Sequence, residues 1–236
     1  MTFEEKHQPR SISDLVFRDP HVAETIGEYA AGKRTKHLLL YGPPGSGKSE
    51  AARILVDTLC PGTAGSMVNE HINPKNFKGT DFSQILSSWS AQTSLGAAAR
   101  GFIVIDEVDW FADKMKHQLR GFIDDHKSGT IICTTNNLHD LDDPLKSRFH
   151  KLQVEWPTVN DWLPRAQTIL AAEGFELALA EVQFLLNGFA GDARALTDWL
   201  QECVLRLNAP TFVQPAGAQK TTPSLTVLNG GSGIQP

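Results

Sequence analysis

The run Gly42-Pro43-Pro44-Gly45-Ser46-Gly47-Lys48-Ser49 constrains this chain more than any other stretch. It fits the spacing G-x-x-x-x-G-K-[ST] at every fixed position. Glycines let the backbone fold around an anion so that consecutive N–H groups point inward. The short apolar run His37–Tyr41 lies directly before it, and a helical pattern, Gly47–Leu59, lies directly after it. A glycine loop between strand and helix is a phosphate site, because the helix N-terminus adds its partial positive charge. In such a loop Lys48 reaches the β- and γ-phosphates of a nucleotide and Ser49 ligates Mg²⁺, so the expected ligands are ATP and Mg²⁺.

The rest of the first 156 residues fits an α/β domain around that loop. Short apolar runs bounded by loop signals predict strands at His37–Tyr41, Gly101–Ile105, Thr130–Thr134 and Lys151–Val154, with another at Met67–Asn69. Helical patterns at Gly47–Leu59, Phe82–Ser90 and Asp113–His126 lie between them. That alternation predicts a parallel sheet with helices on both faces. After Trp156-Pro157 the pattern is helical only, at Thr158–Ala172, Leu177–Asn187 and Asp192–Asn208. In the last of these Leu196, Trp199, Leu200, Cys203, Val204 and Leu207 form one apolar stripe. The expected organisation is an α/β domain over 1–156, a helical lid domain over 157–208 and a flexible tail over 209–236, rich in Pro, Gly and Thr.

The second chemical signal is Phe102-Ile103-Val104-Ile105-Asp106-Glu107. A buried strand that ends in an acidic pair suits phosphoryl transfer to water. Asp106 holds the Mg²⁺ shell, and Glu107 polarises the attacking water. A small-molecule kinase has no use for a water activator, so Glu107 favours hydrolysis. Asp109 extends the acidic run and reads as structural.

Strand, acidic pair, helix, a strand ending in a polar pair and then Ser-Arg is an order of motifs that resembles the AAA+ family, in particular the ATPase subunits of clamp loaders. The resemblance covers roughly residues 5 to 207. It implies a P-loop AAA+ fold, ATP hydrolysis within an oligomeric ring, and DNA and a sliding clamp as partners. It makes Thr135-Asn136 similar to sensor 1, with Asn136 preferred to Asn137 because it lies nearer the strand end. Pro144-Leu145-Lys146-Ser147-Arg148-Phe149 resembles the Ser-Arg-Cys box, which makes Arg148 the expected arginine finger toward a neighbouring subunit. Gly191-Asp192-Ala193-Arg194 resembles sensor 2 and places Arg194 on the γ-phosphate, with Asp192 also a helix cap. The segment Glu5 to Phe17 resembles the entry segment of those subunits, which implies adenine contacts at Val16 and Phe17. Where those subunits continue into a helical collar domain, this sequence has its Pro- and Gly-rich tail.

Composition removes several classes. The formal net charge of -5 excludes a uniformly basic nucleic-acid binder, so a DNA role needs basic residues gathered on one face. Lys114, Lys116, His117, Arg120 and Lys127 follow the acidic pair, with Lys75 and Lys78 upstream, but Asp113, Asp124 and Asp125 share that helix. No apolar run approaches the ~20 residues of a membrane span, and the first residues are unlike a secretion signal. The three cysteines, Cys60, Cys133 and Cys203, lack metal-ligand spacing and read as buried thiols in a reducing cytoplasm. Two other readings stay open on sequence alone. Asn76-Phe77-Lys78-Gly79 is close to the pore loop of polypeptide-threading rings, where Phe77 grips a peptide, and a nucleotide-switched adaptor ATPase is compatible with every motif.

Overall fold

The computed structural model describes residues 1–59, 69–76, 84–89, 101–125 and 129–209. Five strands form one sheet: β1 (His37–Tyr41), β2 (Asn69–Ile72), β3 (Gly101–Ile105), β4 (Gly129–Thr135) and β5 (Phe149–Gln153). Their spatial order is β2-β3-β4-β1-β5, and each neighbouring pair is parallel. The helices are α1 (Phe3–His7), α2 (Pro20–Ala30), α3 (Lys48–Leu59), α4 (84–89), α5 (Asp113–Asp125), α6 (Asp143–Lys146), α7 (Val159–Ala172), α8 (Leu179–Leu185) and α9 (Ala193–Asn208).

The central strands are mostly apolar because both of their faces are covered. Leu39, Ile103, Ile105, Ile131 and Cys133 point to one face and pack with Trp89 of α4 and with Met115, Leu119, Phe122 and Ile123 of α5. Their sequence neighbours Leu38, Leu40, Phe102, Val104 and Ile132 point to the other, against Val22, Ile26 and Tyr29 of α2 and Ala51, Ala52 and Leu55 of α3. A third cluster holds the helical unit together, with Trp162, Ala166, Ile169 and Leu170 of α7 against Val182 and against Leu196, Leu200 and Val204 of α9. The apolar stripe on α9 splits there. Leu196, Leu200 and Val204 are buried, whereas Trp199 stays 37% exposed and donates its indole N–H to the Leu185 carbonyl at 2.9 Å.

Several boundaries differ from the sequence expectation. The strand expected at Met67–Asn69 runs instead from Asn69 to Ile72, and its expected first residues lie outside the described residues. The strand expected at Lys151–Val154 begins earlier, at Phe149, and ends at Gln153. The helix expected at Leu177–Asn187 is trimmed to Leu179–Leu185. Thr158 and Asp192 stand outside their helices as caps. The Asp192 carboxylate accepts from the Arg194 and Ala195 amides at 3.1 and 3.0 Å. Phe77, Lys78, Lys127, Cys60 and the tail from residue 210 onward lie outside the described residues. Among the described residues, no helix is long and apolar enough to cross a membrane.

The N-terminal segment fastens the helical unit to the sheet domain. Arg165 of α7 pairs with Asp14 at 2.8 Å and donates to the His7 carbonyl at 2.8 Å, and His7 meets Glu173 at 2.5 Å. On its other side Arg53 of α3 donates to the Pro9 carbonyl at 3.1 Å. Phe3 and Val16 pack on the cluster of the helical unit, while Ile12, Leu15 and Phe17 pack on the cluster of the sheet.

Leu200 is fully buried at the centre of the helical unit, so its truncation leaves a cavity. Leu200→Ala should destabilise the chain by about 2–5 kcal/mol, measured by urea unfolding. A change below the error of that measurement would contradict this packing.

Candidate nucleotide site

The glycine loop leaves the carboxyl end of β1, beside the ends of β4 and β5, where ligands of open parallel sheets collect. It is anchored by the Gly42 amide, which donates to the Thr135 carbonyl at 3.3 Å. Gly42 and Gly45 have positive φ, 150° and 75°, and both need glycine for space as well. A Cβ on Gly42 would lie 2.1 Å from the Val154 carbonyl oxygen, and one on Gly45 would lie 2.1 Å from the Asp192 carboxylate.

Lys48 is buried, with 5% of its surface exposed. Its ammonium is folded back onto the loop and donates to the Gly42 and Pro43 carbonyls at 2.9 and 2.7 Å and to the Ser46 hydroxyl at 3.3 Å. Burial lowers its pKa, and the nearby carboxylates of Glu107, Asp109 and Asp106 oppose that shift. A buried cation held by neutral carbonyl and hydroxyl oxygens is well placed to exchange them for phosphate oxygens.

Asp106 and Glu107 close the opposite wall. Burial would raise the Asp106 pKa, but hydrogen bonds from His71, Ser49 and Thr134 hold it below the ordinary carboxylate value. The His71 ring meets Asp106 at 2.8 Å, and the Thr134 hydroxyl donates to it at 3.0 Å. The bond between Ser49 and Asp106 brings the two expected metal ligands together. A hydroxyl and a carboxylate are hard oxygen donors suited to Mg²⁺, which takes few protein ligands and fills its shell with water and phosphate. No group of three or more metal-binding side chains occurs among the described residues.

Glu107 is the one non-glycine among the described residues with positive φ, at 52°. Its amide donates to the Thr134 hydroxyl at 3.0 Å, so Thr134 fixes both members of the acidic pair. Its carboxylate is doubly engaged, by the Lys75 ammonium at 2.5 Å and by the Asn136 amide at 3.3 Å. The same ammonium sits 4.6 Å above the exposed Trp110 ring. Asn137 turns away, to cap the short helix Leu138–Asp140 and to meet Asp140 at 2.7 Å.

The remaining expected residues take distinct places. Val16 and Phe17 line a cleft with Ser46, Gly47, Trp162, Ile169 and Leu196, between the loop and the helical unit. Arg194 is exposed and has no ion-pair partner among the described residues, two positions from the Asp192 carboxylate that packs on Gly45. Arg148 lies apart from the loop, in a fork with Asp124: Nε donates to Oδ1 at 2.8 Å and Nη2 to Oδ2 at 2.5 Å, while Nη1 donates to the Pro144 carbonyl. Of the basic positions on α5, Lys116 donates to the Asp140 carbonyl, Arg120 is paired with Asp142, and Lys114 is exposed.

Four contributors escaped the sequence reading as parts of the nucleotide site: Thr134, His71, Trp156 and Lys75, which had read as a basic position for nucleic acid. For His71 and Lys75 the available signal is the β2–β3 register, which pairs Ile72 with Ile105 and carries the end of β2 to the acidic pair.

Because Lys48 is the buried cation of the loop, Lys48→Ala should abolish binding of an ATP analogue, measured by calorimetry. Affinity close to that of the unsubstituted chain would remove Lys48 from this role.

Comparison with known proteins agrees with this geometry. A family model described as "ATPase family associated with various cellular activities (AAA)" matches residues 38–155, half of the chain. Replication factor C subunit 4 of Caenorhabditis elegans is 29% identical over 209 residues, which is 85% of this chain and 62% of that protein. Replication factor C subunit 5 of Mus musculus is 29% identical over 203 residues, 84% of this chain and 58% of that protein. The chain thus spans about six-tenths of the length of these curated relatives. Among solved structures, the Thermotoga maritima RuvB Holliday junction branch migration motor aligns with a TM-score of 0.64 at 20% identity, over 89% of this chain and 74% of that one. That likeness establishes the fold, a parallel sheet flanked by helices and followed by a helical unit. With the glycine loop, the acidic pair and the family match in agreement, the chain belongs to the AAA family of ATPases.

Proposed function

We propose that this chain binds Mg²⁺-ATP between the glycine loop and the helical unit and hydrolyses it as one subunit of a ring, to drive a step directed at DNA or at a DNA clamp. The observation that carries the hydrolytic part is the acidic pair on the Thr134 hydroxyl, opposite the buried Lys48 ammonium. Ser49 and Asp106 would hold Mg²⁺, which when bound neutralises phosphate charge. Lys48 leaves the loop carbonyls for the β- and γ-phosphates. Glu107 orients and polarises the attacking water, and Asn136, already bonded to Glu107, keeps its carboxylate in register. While Lys75 holds the other Glu107 oxygen, that carboxylate is partly neutralised, so turnover requires the pair to open.

Arg148 supports the ring. Its Nε–Nη2 edge is used by Asp124 and one Nη1 hydrogen by Pro144, which leaves one further N–H donor on each terminal nitrogen. These donors suit a phosphate of a neighbouring subunit. Arg194 would act on the γ-phosphate within its own subunit, and Val16 and Phe17 on adenine. The DNA- or clamp-directed step rests on the relatives named Replication factor C subunits. The cytoplasmic setting rests on the thiols: Cys133 is buried, with its pKa pushed well up by desolvation, and Cys203 is half-buried and raised by the same cause.

The test mixes two inactive variants. Glu107→Gln should bind ATP yet fail to turn it over. Arg148→Ala should also bind ATP, with hydrolysis reduced by ~10³–10⁵ if the finger acts in trans. Mixed rings contain interfaces where an intact Glu107 site meets an intact Arg148, so activity should partly return. No recovery although mixed rings form, or full activity in a strictly monomeric preparation, would overturn the ring mechanism.

A further inference from the structure

Trp156 lies in the short connection between β5 and α7 and is 53% exposed. Burial does not fix a side chain this open. A hydrogen bond does, because its indole Nε1–H donates to the Pro44 carbonyl, across 112 residues of sequence, at 2.8 Å.

The Pro44 carbonyl belongs to the same peptide unit as the Gly45 amide. In a trans peptide the C=O and N–H point in opposite directions, and the chain has no cis peptide among the described residues. An indole that holds the Pro44 oxygen outward therefore turns the Gly45 N–H the other way. That amide makes no hydrogen bond to the described residues. The neighbourhood is stiff on both sides of the unit. Pro43 and Pro44 have fixed φ, and the Asp192 carboxylate packs against Gly45.

The same connection also touches the start of the loop, where the Val154 carbonyl lies against Gly42 and the Val154 amide donates to the Tyr41 carbonyl at 2.8 Å. Just beyond Trp156, Thr158 caps α7 and opens the helical unit. The residue that orients the loop peptide is thus anchored where the helical unit joins the sheet.

We propose that Trp156 is a positioning residue of the phosphate cradle: its indole N–H fixes the Pro44–Gly45 peptide so that the Gly45 amide donates to a phosphate of the bound nucleotide. This rests on the nucleotide-binding reading above. The polarisation runs both ways along the peptide. An anion on the Gly45 N–H makes the Pro44 carbonyl a stronger acceptor for the indole. The bond then strengthens when the site fills, and by reciprocity its loss weakens phosphate binding by the same factor.

Trp156→Phe keeps an aromatic ring and removes only the N–H. A net hydrogen bond contributes enough to change affinity about two- to tenfold. Competition against a fluorescent ATP analogue should show ADP and a non-hydrolysable ATP analogue bound about two- to tenfold more weakly by Trp156→Phe, and adenosine bound equally by both proteins. Trp156→His, which keeps a ring N–H, should recover part of the loss. Three outcomes would overturn the proposal: unchanged ADP affinity in Trp156→Phe, an equal loss for adenosine and ADP, or a loss in Trp156→His as large as in Trp156→Phe. Failure of the unsubstituted chain to bind any nucleotide would overturn the nucleotide-binding reading along with it.

Discussion

A buried ammonium needs partners, and in this chain the Lys48 ammonium finds them in the carbonyls of its own loop. That constraint organises the site. The loop must curl tightly enough for Gly42 and Pro43 to face Lys48, which demands positive φ at Gly42 and Gly45 and leaves no room for a side chain at either. Desolvation weakens the charged form of Lys48, while the carboxylates of Glu107, Asp109 and Asp106 support it across the cleft. Carbonyls are weaker partners for a cation than phosphate oxygens. Under the proposed function the site is poised between two sets of oxygens, and a nucleotide supplies the stronger one.

The same logic runs through the acidic wall. Asp106 is kept ionised by three hydrogen-bonding neighbours, and Glu107 is held by one cation and one amide. These partners come from the ends of two strands and the start of α3: His71 and Lys75 from β2 and the short helix after it, Thr134 and Asn136 from β4 and just after it, and Ser49 from α3. The parallel sheet brings these ends to one edge. Val154 and Trp156, in the connection after β5, and Asp192 of the helical unit all contact the glycine loop.

Legibility in the sequence followed burial. The strands at the centre of the sheet, β1, β3 and β4, are covered on both faces and read as continuous apolar runs, and their expected positions agree with the structure to within a residue at each end. The two edge strands did not read as cleanly. β2 is Asn-Glu-His-Ile, and β5 has only Phe149 and Leu152 buried among its five residues. An edge strand lacks a neighbour on one side and tolerates polar residues. In the site, Lys48, Ser49, Asp106 and Glu107 were legible because their motifs are local. The pairs Lys75–Glu107, His71–Asp106, Arg148–Asp124 and Trp156–Pro44 were not, because each joins residues that only the strand order brings together. Asn136 over Asn137 followed from its position at the strand end, and the structure gives it the bond to Glu107.

Under the proposed function Lys48 exchanges one set of oxygens for another. The most direct test is a structure of the chain with Mg²⁺ and a non-hydrolysable ATP analogue. Lys48 Nζ should be withdrawn from the Gly42 and Pro43 carbonyls and bonded to the β- and γ-phosphates, with Ser49 and Asp106 around the metal. A nucleotide bound with Lys48 still on the loop carbonyls, or bound away from residues 42–49, would contradict this exchange.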